Sequence, residues 1–122
     1  MPKLVELEIP IELLKARVIV YVGDEKKFIK QMKKQGVDLE KRSAIATTWF
    51  HREEADPLPF HVLIHSKSAA MSVIAHEAVH ASAFILDAIG VKADWHNDEL
   101  QAYLVQHICE KVEGMLYPMD GE

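Results

Sequence analysis

The fold of this chain depends on one stretch, His76-Glu77-Ala78-Val79-His80, which has the pattern HExxH. On an α-helix, positions i and i+4 lie on one face, about 6 Å apart along the axis. Two imidazoles at this spacing can both bind one Zn²⁺ ion. Glu77 is rotated by about 100° from His76, so its carboxylate lies beside the ion, where it can take a proton from a water that the metal activates. The pattern therefore predicts a catalytic zinc site on a helix.

The surroundings of the motif indicate that this helix is buried. The motif lies within the apolar run 69–89. The residues around and between its polar positions are uncharged: Val73, Ile74, Ala75, Ala78, Val79 and Ala81. Burying two imidazoles and a carboxylate is costly unless they are paired or bind a metal. The alternative interpretation is a helix whose histidines bond only to one another or to backbone groups.

A zinc site also needs a third protein ligand, and a catalytic site keeps its fourth position open. The candidate is Glu99, at the start of a second predicted helix and 19 residues after His80. This separation leaves room for the first helix to end, for a turn at Gly90 and for the chain to return over the motif. Asp98 is the alternative. It could be the ligand, or it could bind the second ring nitrogen of a ligand histidine.

HExxH followed by a glutamate on the next helix resembles the gluzincin group of zinc metallopeptidases. The short chain and the segment Asn97-Asp98-Glu99-x-x-Ala102-Tyr103 are similar to the minimal gluzincins, and among these to small zincin-like proteins encoded by bacteriophages. The similarity covers about residues 60–110. It implies hydrolysis of peptide bonds with one zinc ion per chain. The implied metal ligands are His76, His80 and Glu99, and the implied general base is Glu77.

The helix that begins near Glu99 also carries candidates for stabilising the transition state. Tyr103 and His107 follow Glu99 at i+4 and i+8, so we expect the three to share a face that looks at the metal. Hydrolysis of an amide needs a donor for the developing oxyanion. Tyr103, His107 or His96 could supply it, and gluzincins commonly use a downstream histidine or tyrosine. Tyr103 and His107 are therefore predicted as further catalytic residues, although Tyr103 could instead be a packed core tyrosine.

Composition and charge limit the class of protein. A chain of 122 residues suits a single domain, 1–122, and its 49% of hydrophobic residues is enough for a core. The net charge of −5 argues against nucleic acid or an anionic membrane as a partner. With a single cysteine, Cys109, and no signal-peptide pattern at its start, the chain is expected in the cytoplasm, which is the host bacterial cytoplasm if it is phage-encoded.

The first forty residues predict two strands and a helix. Residues 3–9 are expected to form a strand that Pro10 ends, 11–16 a short helical turn or the entry to the next strand, and 17–22 a strand buried on both faces. Asp24 is a good N-cap for a helix that reaches about position 35. Its apolar stripe is Phe28, Ile29 and Met32. Its five lysines are interpreted as a solvated face, although they could bind an acidic partner.

The middle of the chain predicts an antiparallel pair of strands, 43–51 and 60–65, joined by a loop at 52–59. The resemblance implies that a peptide or protein substrate pairs along the exposed edge of this sheet, a general mode of recognition. His61 and His65 fall on one strand face. They could form a second metal pair, but we interpret them as exposed or edge histidines.

The motif helix is expected to start at a cap formed by Ser66 or Ser68, to reach about position 89 and to stop at Gly90. Because it is apolar nearly all round, it should be the central, buried helix of the domain. The last helix should end near Met115. The predicted fold is α+β and zincin-like, of the minigluzincin type. A small, mostly antiparallel or mixed sheet of three or four strands packs on the HExxH helix, and a second metal-ligand helix follows.

Two other functions are consistent with the same residues. The protein could be a non-catalytic, zinc-stabilised interaction module, which would need only the fold and a closed metal site. It could also hydrolyse a non-peptide substrate with the same zinc chemistry. The fourth coordination position separates the first alternative from an enzyme, because a structural site fills that position with a protein ligand.

Overall fold

A computed structural model describes residues 4–39, 44–51, 60–92, 94, 96 and 98–118. Within these residues the chain forms four strands, a 3-10 turn at Glu12–Leu14 and three α-helices. The strands are β1 (Val5–Ile11), β2 (Ala16–Val22), β3 (Ala46–His51) and β4 (Phe60–Ser66). The helices are α1 (Glu25–Lys34), α2 (Met71–Ala88) and α3 (Glu99–Leu116).

The strands form one mixed sheet in the order β1-β2-β4-β3. β1 pairs antiparallel with β2, β2 pairs parallel with β4, and β4 pairs antiparallel with β3. In the last pairing Ala46 lies opposite Ser66, which confirms the predicted antiparallel pair. The α+β class and the mixed sheet agree with the prediction. In the part of the chain that is described, β3 lies at one edge of the sheet.

Helices cover both faces of this sheet. One face packs against α2 and α3, and the shared core joins Ile64 of β4 to Ile85 of α2 and Ile108 of α3. The other face packs against α1, where Phe28 and Met32 contact Leu63. Because β2 lies inside the sheet and between these layers, it is buried on both faces, as its run of β-branched residues predicts.

The first strand differs from the prediction at Pro10. β1 continues through this residue to Ile11, and Pro10 lies opposite Arg17. The reason is the position of the strand: among the described strands, β1 has only β2 as a neighbour, and an edge strand tolerates the missing N–H of proline. Of the two alternatives for residues 11–16, the short helical turn is the one that forms, at Glu12–Leu14. Lys15 closes the turn in the left-handed conformation with φ 52°.

The predicted limits of α1 are confirmed at both ends. The Asp24 carboxylate accepts a hydrogen bond from the backbone N–H of Lys27 at 3.1 Å, which satisfies one of the free donors of the first turn. Gly36 follows the helix with φ 85°, a conformation that glycine adopts without strain. Phe28 and Met32 are buried and Ile29 is partly buried, so the predicted apolar stripe is the side of the helix that packs on the sheet.

The start of α2 differs from the prediction. The helix begins at Met71, its N-cap position is Ala70, and no side chain caps it. The two serines instead shape the turn before the helix. The Ser66 hydroxyl donates to the Ser68 carbonyl at 2.7 Å, and the Ala70 N–H donates to the Ser68 hydroxyl at 3.0 Å. The predicted end is confirmed, because Gly90 follows the helix with φ 81°.

The burial of α2 is also one-sided, which corrects the expectation of a helix that is buried all round. Ile74, Ala78 and Ile85 face the sheet and are fully buried. The opposite side of the helix, which includes Val79 and Phe84, is exposed. Apolar composition does not reveal this, because α3 covers only part of α2. In the described ranges, no helix combines the length and apolar character that crossing a bilayer needs.

Candidate metal centre

The two motif histidines lie together on the exposed side of α2. The ring centroids of His76 and His80 are 5.0 Å apart and their planes are inclined at 70°. The His76 side chain is 70% exposed, and His80 is exposed as well. One turn of helix separates them, so two imidazole nitrogens are available to a single ion from solvent.

Glu77 has the opposite environment, because its side chain is only 8% exposed and lies between α2 and β3. The Thr48 hydroxyl donates a hydrogen bond to Glu77 Oε1 at 2.7 Å. The other carboxylate oxygen, Oε2, lies 3.9 Å from His76 Nε2. The motif carboxylate is therefore held between the edge strand and the histidine pair.

A cavity of about 370 Å³ opens beside this carboxylate. It lies between the start of β3 and the first two turns of α2. Ile45, Ala46 and Val73 form its apolar walls, and Ser72, His76 and Glu77 complete it. The cavity leaves space for a ligand of modest size beside both Glu77 and His76.

Glu99 is the first residue of α3, and its side chain is exposed. In the described part of the chain, no three histidine, cysteine, aspartate or glutamate side chains are grouped as metal ligands. His76, His80 and Glu99 are all exposed, and exposed side chains change rotamer within picoseconds to nanoseconds. Two imidazoles and a carboxylate are a donor set that Zn²⁺ commonly takes. By donor chemistry these residues fit zinc.

Asp98 and His96 precede α3 and are both exposed. Asp98 occupies the N-cap position, but its side chain makes no capping hydrogen bond. The backbone N–H of His96 donates to the Asp94 carboxylate at 2.9 Å, which orders the turn before the helix. Asp98 therefore stays the alternative to Glu99 as a third ligand.

A hydrogen bond between α2 and α3 lies close to these candidates. The Gln101 amide donates to the Ser82 hydroxyl at 3.2 Å, and this hydroxyl donates to the Val79 carbonyl at 2.8 Å. Ser82 is fully buried. Ser82 lies two residues after His80, and Gln101 lies two residues after Glu99. The bond therefore connects the helical turns that carry these two candidate ligands. No local pattern in the sequence indicates this contact, because its partners lie 19 residues apart on different helices.

The structure also decides the environment of Tyr103 and His107. Tyr103 is 63% exposed, so the alternative of a packed core tyrosine is wrong. His107 is half-buried one turn further along α3. Tyr103 lies one turn after Glu99 and is accessible to a ligand, while its role as an oxyanion donor stays a prediction.

His65 occupies a separate site on the α1 side of the sheet. It is 1% exposed, so the expectation that this histidine is exposed or at an edge is wrong. Its Nε2–H donates to the Gly23 carbonyl at 2.9 Å, and its ring stacks on Phe28 with centroids 4.6 Å apart. Burial lowers the pKa of His65 below its ordinary value, although the Gly23 bond and the Glu25 carboxylate oppose the shift. The His65 ring is therefore part of the buried core.

Thr48 is the second contributor to the site that sequence analysis missed. It lies 29 positions before Glu77, on a different element. The alternation of β3 places Thr48 on the α2 side of the sheet, opposite Ile64, but this follows only once the strand order is known. No protein-family model, no curated protein and no solved structure matches this chain.

Proposed function

We propose that this protein is a zinc-dependent metallopeptidase with a zincin-like fold of the minimal gluzincin type. One observation carries the proposal. The Glu77 carboxylate is held beside the His76 ring, next to two imidazoles whose centroids are 5.0 Å apart. This is the relation between a general base and a histidine pair that hydrolysis by activated water requires.

The proposed metal ligands are His76, His80 and Glu99. The two histidines extend from one face of α2, and Glu99 comes from the first turn of α3, which the Gln101–Ser82 hydrogen bond ties to α2. When bound, zinc supplies a Lewis acid that polarises the scissile carbonyl and lowers the pKa of water toward about 7.

Glu77 is the proposed general base. Its Oε1 accepts the Thr48 hydrogen bond, which leaves Oε2 on the side of the histidine pair. Oε2 takes the proton of the attacking water and passes it to the leaving amine nitrogen. The carboxylate itself is almost removed from solvent, which strengthens its electrostatic interactions with the groups beside it.

The proposed substrate is an extended peptide or protein segment that pairs with the edge strand β3. Among the described strands, β3 has a neighbour only on its β4 side, so its other edge can accept backbone hydrogen bonds. The cavity of about 370 Å³ lies at the start of this strand and takes one substrate side chain, and its apolar walls favour an apolar one. Tyr103 and His107 are the proposed donors to the oxyanion.

The experiment that tests this proposal is metal analysis by mass spectrometry, followed by a peptide-library screen. We expect one zinc ion per chain in the wild type purified without chelator. We expect its loss in Glu99→Ala, because two histidines alone leave the ion poorly held. Glu113→Ala, which removes an exposed carboxylate near the other end of α3, is the matched control and should keep zinc.

Each outcome of this experiment has a defined meaning. Zinc binding together with peptide hydrolysis supports the metallopeptidase. Zinc loss in Asp98→Ala but not in Glu99→Ala would move the third ligand to Asp98. Zinc bound without hydrolysis of any peptide would favour the non-catalytic interaction module. A folded wild type that takes up no zinc, even when zinc is supplied, would refute the metal site itself.

A further inference from the structure

The contact between Thr48 and Glu77 joins the edge strand to the motif helix. The Thr48 hydroxyl lies 2.7 Å from Glu77 Oε1 and 3.3 Å from the Glu77 carbonyl oxygen. A hydroxyl has one proton, and the shorter distance identifies the carboxylate as its acceptor. A bond of this length from a hydroxyl to a carboxylate belongs to the strong, charge-assisted class.

This hydrogen bond selects the conformation of Glu77. A glutamate side chain has three rotatable bonds, and fixing them costs free energy unless a partner compensates. The Glu77 carboxylate is also almost removed from water, so it needs a donor. Thr48 supplies that donor from strand β3. Its β-branched side chain has few rotamers, which gives the bond a defined direction.

We propose that Thr48 is the positioning residue for the general base. By holding Oε1, it turns Oε2 toward the His76 ring, so that Oε2 is the oxygen that moves the proton. This inference rests on the proposed peptidase function. It gives the two carboxylate oxygens different roles: Oε1 accepts the Thr48 hydrogen bond, and Oε2 acts as the base.

The position of Thr48 has a second consequence. It lies on β3, the strand along which the peptide substrate is proposed to pair. Ala46, two residues earlier on the same strand, lines the cavity. The residue that holds the base therefore belongs to the element that holds the substrate. A peptide aligned along β3 is placed in register with Oε2 by the same strand.

The test compares three substitutions on this strand. Thr48→Val keeps the β-branched shape and removes the hydroxyl, whereas Thr48→Ser keeps the hydroxyl and is the rescue variant. Thr47→Val is the matched control, because neighbouring side chains of a strand point to opposite faces and Thr47 lies opposite His65 on the α1 side. Each variant is assayed for zinc content, kcat and KM with a peptide from the library.

We expect Thr48→Val to keep one zinc per chain and an unchanged KM while kcat falls about 10–100-fold, the usual loss when a partner that orients a site residue is removed. Thr48→Ser and Thr47→Val should keep the wild-type kcat. A purely structural role would lower zinc content or raise KM together with the fall in kcat. Equal kcat in Thr48→Val and Thr47→Val would overturn the inference and leave the peptidase proposal intact.

A measurement that needs neither metal nor substrate separates the positioning role of Thr48 from the proposed peptidase function. In the zinc-free protein, urea unfolding of Thr48→Val, Glu77→Ala and the double variant forms a double-mutant cycle, because Glu77→Ala removes the acceptor of the Thr48 hydrogen bond. We expect the combined shift of the unfolding midpoint to differ from the sum of the single shifts, because the two side chains share one bond. Additive shifts would overturn the inference whatever the activity. A zinc-loaded wild type that hydrolyses no peptide would refute the peptidase and the positioning role with it.

Discussion

Replacing Glu77 with glutamine tests the proposed chemistry most directly. The two side chains have nearly the same shape, and the amide oxygen of glutamine can accept the Thr48 hydrogen bond in place of Oε1. The amide nitrogen then occupies the position of Oε2 on the His76 side. It carries no basic lone pair, so Glu77→Gln should fold and bind zinc but lose the base.

The size of the loss follows from the role of the residue. A positioned general base contributes roughly 10²–10⁴-fold to the rate, which is about 3–5 kcal/mol of the barrier. The effect on stability is much smaller. The variant replaces a charge-assisted hydrogen bond with a neutral one, but it also removes the cost of burying a charge. For a chain of 122 residues, a net change within about 1 kcal/mol moves Tm by no more than about 4 °C.

The assay is kcat on a library peptide, with zinc content and Tm measured on the same preparation. Glu113→Gln, which neutralises an exposed carboxylate on α3, is the control and should behave as the wild type. Glu77→Gln with a wild-type rate and one bound zinc would refute the reasoning, because a base essential to the reaction would have been removed without effect. Loss of zinc in Glu77→Gln would instead place Glu77 among the metal ligands.

Two further predictions concern contacts outside the motif. The pKa of His65 is lowered in the folded chain, so below pH 6.5 the unfolded chain takes up a proton that the folded chain does not. The free energy of unfolding should therefore fall as pH falls through this range. Urea unfolding at several pH values measures this dependence, which His65→Phe should flatten; an equally steep dependence in that variant would assign it to other groups. Gln101→Leu removes the amide that donates to Ser82 and should weaken zinc binding by about 10–100-fold, as measured by competition with a chelator. Gln106→Leu is its control, because the Gln106 amide donates to Glu110 within α3. Equal zinc affinity in the two variants would contradict a role of the interhelical bond in placing Glu99.

The sequence alone determined the features that depend on near neighbours in the chain. The carboxylate of Asp24 caps the helix that follows it, and Gly90 ends the motif helix with a positive φ. The adjacency of His76 and His80 follows from the i, i+4 spacing of any α-helix. Each of these depends only on residues within about one helical turn, where the backbone geometry is known in advance.

Only the tertiary structure decided which parts of the chain meet. Strand order makes β1 an edge strand that accepts Pro10, and it buries His65 against Phe28. It also brings Thr48 to Glu77 across 29 residues of chain. Such contacts depend on which strands pair, in what register, and on which face each helix packs. The local sequence does not determine these contacts. The alternation of apolar and polar residues along a strand indicates that the strand has two different faces, but it does not indicate which element each face contacts.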